Sequence, residues 1–159
     1  MSGVGEAGAI VSLISTSAKL TQTIASLALK YKHAKAQIKT FGNDVQTLGL
    51  VLGQLQRLLT RRKPNMDHEV LKVVKDTVSH CQALFSEIDS FCNSLYSNDS
   101  DTKQVNFRGK TKWVLEAAEL QVLQARIDST KMNILLLLTL ECLPKDERYV
   151  RSVKTILMS

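Results

Sequence analysis

I-K-T-F-G-N-D-V-Q-T-L-G-L-V-L-G-Q-L-Q-R-L-L, residues 38–59, sets Ile38, Phe41, Val45, Leu48, Leu52, Leu55 and Leu59 at alternating spacings of three and four. That rhythm keeps all seven on one side of an α-helix, because about 3.6 residues complete a turn. The spacing therefore predicts a long helix with one apolar stripe. Gly42-Asn43-Asp44, with Gln46 three positions after Asn43, has the letters of a turn and a capping box. The stripe crosses these residues unbroken, so the first turn is expected upstream, near 32–36, although that stretch holds neither glycine nor proline.

Three more stripes share the rhythm. Upstream stand Ile10, Leu13, Ser17, Leu20, Ile24, Leu27 and Tyr31, with Ser17 the single polar member before the tyrosine. Downstream of Arg61-Arg62-Lys63-Pro64-Asn65 run Val70, Val74, Thr77, Cys81, Leu84, Ile88, Phe91 and Leu95, ending in the apolar-free loop cluster Ser97-Asn98-Asp99-Ser100-Asp101. The fourth begins near Trp113 and passes through Ala117, Leu120, Leu123, Ile127, Ile134 and Leu137 to about Leu143, where Pro144 stops it. Within it, the apolar run Ile134 to Leu140 reads as the most buried part of a helix.

Long heptad stripes with short connections describe helices packed side by side at shallow angles. The expected fold is all-α, an up-and-down four-helix bundle over 1–143. The segment 144–159, with Tyr149, Val150, Val153, Ile156 and Leu157 at helical spacing, is a short C-terminal helix or a linker to a further domain. An extended dimeric coiled coil competes, but three interruptions within 159 residues favour a chain that folds back. The composition agrees, since 44% hydrophobic and 23% charged residues suit a globular domain, and two prolines and seven glycines punctuate too rarely for many short strands.

The letters offer little chemistry. Gly3-x-Gly5-x-x-Gly8 matches a dinucleotide fingerprint without the preceding strand that would aim it at a pyrophosphate. His33, His68 and His80 stand apart from one another, with no metal-ligand spacing. Adjacent His80 and Cys81 point about 100° apart on a helix, so they do not make a nucleophile and its base. Glu116 with Glu119, and Glu87 with Asp89, read as solvated pairs. Cys81, Cys92 and Cys142 lack C-x-x-C spacing and read as reduced thiols. No catalytic residue, cofactor or metal is expected, and the chain reads as a non-enzyme. Glu6, and no basic residue, precedes the first apolar stretch, so a secretory signal is not expected and the location reads as cytoplasmic.

Charge is more informative. Twelve of the 21 lysines and arginines fall in three windows free of acids: Lys30, Lys32, Lys35 and Lys39; Arg57, Arg61, Arg62 and Lys63; Lys103, Arg108, Lys110 and Lys112. All three flank expected turns, and in an up-and-down bundle the first and third share one end. That end would gather eight cations, a surface suited to an anionic partner. Few aromatics accompany them, so lipid is favoured over nucleic acid. Between Ala7 and Leu29 the only charge is Lys19, so the first helix, with Ile10, Leu13, Leu20, Ile24 and Leu27, is the candidate for a membrane interface or for packing against other copies. Its other reading is the most buried helix of the four. Gly49 and Gly53, spaced G-x-x-x-G, suggest close helix contact.

The ordered segments F-G-N-D-V-Q-T-L-G-L-V-L-G-Q-L-Q-R-L-L (41–59), V-V-K-D-T-V-S-H-C-Q-A-L-F-S-E-I-D (73–89) and K-W-V-L-E-A-A-E-L-Q-V-L-Q-A-R-I-D-S-T-K-M-N-I-L-L-L-L (112–138) together resemble the fungal N-terminal domain of STAND (NLR-like) proteins, within the HeLo-like group. The resemblance covers about Gly3 to Leu143. It implies a helical bundle usually placed before a nucleotide-binding or repeat region. Such a domain signals, or kills the cell, by oligomerising and attacking membranes. It further implies an NLR-like partner domain and recruitment to the plasma membrane on activation. The glycines at 3, 5 and 8 depart from the usual apolar opening.

Overall fold

The structure is a computed structural model that describes residues 2–62, 66–97, 108–142 and 147–159, with backbone alone at 2–4, 62, 97, 108–112 and 147–150. The chain is all-α. Helices α1 (Ser2–Lys30), α2 (Lys35–Arg62), α3 (His68–Ser97) and α4 (Arg108–Cys142) are long, and α5 (Glu147–Met158) is short. No strand occurs among the described residues. The segment left open between helix and linker is therefore helical from Glu147 onward.

The first turn falls where the uninterrupted stripe puts it. A 3-10 turn, Lys32–Ala34, joins α1 to α2, while Gly42, Asn43 and Asp44 lie inside α2. With no glycine available, the chain turns on Tyr31 at φ −94° and ψ 74°, outside the helical region, and Ala34 N–H donates to the Tyr31 carbonyl at 3.0 Å. At the start of α3, Asp67 accepts from Glu69 N–H at 3.1 Å, an N-cap for donors that have no partner within the helix.

Every member of the 38–59 stripe is buried, none more than 2% exposed, and the α1 and α3 stripes are buried apart from Tyr31 and Thr77, which are half-buried. Residues from all four long helices join one hydrophobic cluster. The principal pairs are α1 with α2, α1 with α3, α2 with α4 and α3 with α4. A ring in chain order would pair α2 with α3 and α4 with α1, and neither is a principal pair. Contacts give the directions. Gly42 and Gly49 of α2 face Ile24 and Ser17 of α1, so these helices run antiparallel. Tyr31 at the end of α1 donates its hydroxyl to the Leu95 carbonyl near the end of α3 at 2.7 Å, so those two run parallel. Trp113 with Gln37 and Gln124 with Asp44 set α4 parallel to α2.

The close approach in α2 involves Gly42 and Gly49, two turns apart, rather than the G-x-x-x-G pair. A Cβ on Gly49 would overlap Ser17 Oγ and lie 3.1 Å from Ser17 Cβ, whereas one on Gly53 would meet nothing. Ser17 Oγ is itself tied back to the Ile14 carbonyl at 2.7 Å, which limits how far it can retreat. Gly49→Ala is therefore expected to destabilise the chain by about 1 to 2 kcal/mol, the overpacking outweighing a gain of about 1 kcal/mol in helix propensity. Gly53→Ala is expected to stabilise by roughly the propensity difference alone. Urea unfolding of the two variants reads both signs.

Candidate functional site

The end of the molecule where α1 gives way to α2 is assembled around the lone tryptophan. Trp113, 8% exposed, donates from Nε1 to Gln37 Oε1 at 3.1 Å. Its ring lies 6.0 Å from that of Tyr31 and 5.9 Å from that of His33, the latter edge-on. The junction thus ties together the end of α1, the 3-10 turn, the starts of α2 and α4 and, through the Tyr31 hydroxyl, the end of α3.

Four of the eight candidate lysines and arginines have described side chains here. Lys30, Lys32, Lys35 and Lys39 are all exposed. The Lys30 ammonium lies 4.5 Å over the ring of Tyr96, a cation–π contact. Arg108, Lys110 and Lys112 are placed by backbone on the opening turns of α4, just ahead of Trp113 and so at the same end. Lys103 lies outside the described residues. The positive dipole ends of α2 and α4 at this pole are offset by the negative ends of α1 and α3, so its charge comes from the side chains. No aspartate or glutamate occurs in the sequence between Glu6 and Asp44, or between Asp101 and Glu116.

The five apolar candidates of α1 point inward. Ile10, Leu13, Leu20, Ile24 and Leu27 are between 0% and 4% exposed, so they meet a membrane or another copy only if α1 leaves α2 and α3. Among the described side chains on the outer face of α1, Val11 and Leu29 are the large apolar ones most open to water.

The apolar run expected to be the most buried part of α4 is only partly so. The run Ile134 to Leu140 is not uniformly buried: Leu135 is 40% and Leu136 45% exposed. Val114, Leu115, Val122 and Met132 are more exposed still, so α4 carries a second apolar face turned to solvent. The inward stripe accounts for only one face of α4, and the exposed residues lie between its members in the sequence.

Among the described residues no group of three His, Cys, Asp or Glu converges to hold a metal ion. His80 Nδ1 donates to the Asp76 carbonyl of its own helix at 2.7 Å, on the wall of an open groove of about 560 Å³ between α3, α4 and α5. Cys81 and Cys92 are buried, and loss of solvation pushes their thiols up to about 11 and about 12, with Asp89 adding to the shift at Cys92. Cys142 is exposed. A thiol reagent at pH 8 is expected to label one cysteine in the native chain and all three after denaturation; fast labelling of two or more would mean α3 opens readily.

Compared with known protein families, with curated proteins and with solved structures, the chain matches none. No helix of the described residues is long and apolar enough to cross a membrane.

Proposed function

We propose that the four long helices form a HeLo-like bundle, a non-enzymatic signalling or cell-death effector domain that self-associates and docks on anionic membrane through its basic end. The observation that carries the reading is that exposed Lys32, Lys35 and Lys39 lie at the end of the molecule where α4 begins, with no acid in either sequence window. Each basic residue close to an anionic leaflet contributes about 1 kcal/mol, so a handful suffices for reversible docking. A lightly charged α1, whose polar positions are mostly Ser, Thr and Gln, supports a second stage in which this helix exchanges its protein contacts for the lipid interface.

A soluble adaptor that only assembles copies of itself or other partners is the rival, and the exposed apolar face of α4 favours it. Vesicles separate the two. The membrane reading expects co-sedimentation with vesicles containing phosphatidylserine, weakened by salt, and release of an enclosed dye. An oligomerising chain that ignores those vesicles overturns it and leaves the adaptor.

A further inference from the structure

We propose that the outward face of α4 is a self-docking seam on which two copies of this chain pair α4 against α4, antiparallel. The proposal deepens the self-association in the reading above by naming its surface.

Leu115, Ala118, Val122, Ala125, Ser129 and Met132 follow one another at spacings of three and four, and Leu136 continues the series. All are exposed, Leu115 at 74%, Val122 at 60% and Met132 at 57%. They lie about 180° around the helix from buried Leu120, Ile127 and Ile134. The helix therefore carries two seams of coiled-coil period, one facing its own core and one facing water. A lone exposed leucine needs no explanation, whereas a run of exposed apolar residues along one helix face, broken only by Ser129, is a candidate for docking.

The occupant that fits this face is a second copy of the chain. In a two-fold pair the same patch meets itself, so an antiparallel seam must be alike in size, and opposite in charge, at equal distances from its midpoint. The α4 seam meets the size condition about a point between Leu123 and Gln124, and the charge condition along one of its two borders. Small Val122 and Ala125 stand nearest the midpoint, Ala118 and Ser129 come next, and large Leu115 and Met132 close the two ends. The helices can then approach closely at the centre while the long side chains fill the diverging flanks. Along one border Glu119 meets Arg126 of the other copy, and along the other Gln121 meets Asp128, each contact occurring twice. Arg126 already pairs with Glu87 of its own α3, and its five-donor fork can serve a second carboxylate. Sliding the pairing by seven residues either way sets Glu119 against Glu119 or Arg126 against Arg126. A parallel pair would match no opposite charges across the seam. The matched strip from Leu115 to Met132 is about 26 Å long and about 10 Å wide, less than the ~800 Å² per partner of a stable complex, so the dimer is weak and concentration-dependent.

Sedimentation velocity over a concentration series, with and without vesicles, is the test. The wild-type chain is expected to dimerise. Val122→Glu with Ala125→Glu, both at exposed positions, should raise the dimer dissociation constant on the order of 100-fold or more, with the melting temperature unchanged. In a Cys142→Ser background, a short bis-maleimide should join Leu115→Cys chains to Met132→Cys chains and neither to itself. Dimers that survive the double glutamate variant overturn the seam while leaving self-association standing. Self-joining of Leu115→Cys overturns the antiparallel arrangement. A wild-type chain that stays monomeric at every concentration overturns the seam and solution self-association together, and vesicle binding is then judged on its own readout.

Discussion

Vesicle binding is expected to fall on the order of 100-fold when Lys32, Lys35 and Lys39 are replaced together by glutamine, three contributions of about 1 kcal/mol each being removed. Glutamine keeps the helix propensity and much of the reach of lysine, so only charge changes. All three side chains are exposed, so the melting temperature should move little. Lys30 is left out of the set because its ammonium is engaged over Tyr96, and replacing it would mix a packing loss into the electrostatic one. The same substitutions should flatten the salt dependence of the residual binding, since fewer counterions are exchanged. If the triple variant binds as tightly and as salt-sensitively as the parent, the basic end is not the docking surface.

The second large effect concerns the core. Phe41 is 1% exposed and meets the ring of Phe91 edge-on at 6.1 Å and 82°, linking α2 to the far end of α3 although these helices are not a principal pair. Phe41→Ala removes the ring and leaves a cavity, a change that costs about 3 to 5 kcal/mol at buried aromatic positions. Against a total stability of about 5 to 15 kcal/mol, that is enough to leave a marginal chain partly unfolded at 37 °C. Phe41→Leu fills much of the same space and is expected to cost less than half as much. Chemical denaturation followed by circular dichroism should show the two midpoints well separated; equal midpoints would mean that the site collapses around whatever occupies it.

The stripes and the first turn were legible because a heptad pattern is local: Ile38 to Leu59 are spaced for one face whatever lies opposite. Which helices pair was not legible, since an apolar stripe carries no address. The ring order rests on side chains such as Tyr31, which reaches the Leu95 carbonyl 64 residues away, and Gln37, which accepts from Trp113 76 residues away. The outward seam of α4 escaped for a related reason. When a helix is apolar on both faces, spacing alone does not say which face is inside, and the run Ile134 to Leu140 hides the alternation completely. The basic windows could be read directly as charge without acids. Their meeting at one end depends on α4 starting beside α2, a matter of packing.

The tryptophan at the junction gives the chain an internal optical reporter. The sequence holds a single tryptophan, so the indole emission of the whole protein comes from one ring, screened from water by Tyr31, His33 and Gln37. Should α1 detach from this end first when the chain meets a lipid surface, the emission shifts to the red before any dye escapes from the vesicle. Should α1 instead peel away from its glycine end, near Gly5 and Gly8, the colour holds until the last turns let go. The order of events could thus be timed by fluorescence on the unaltered chain.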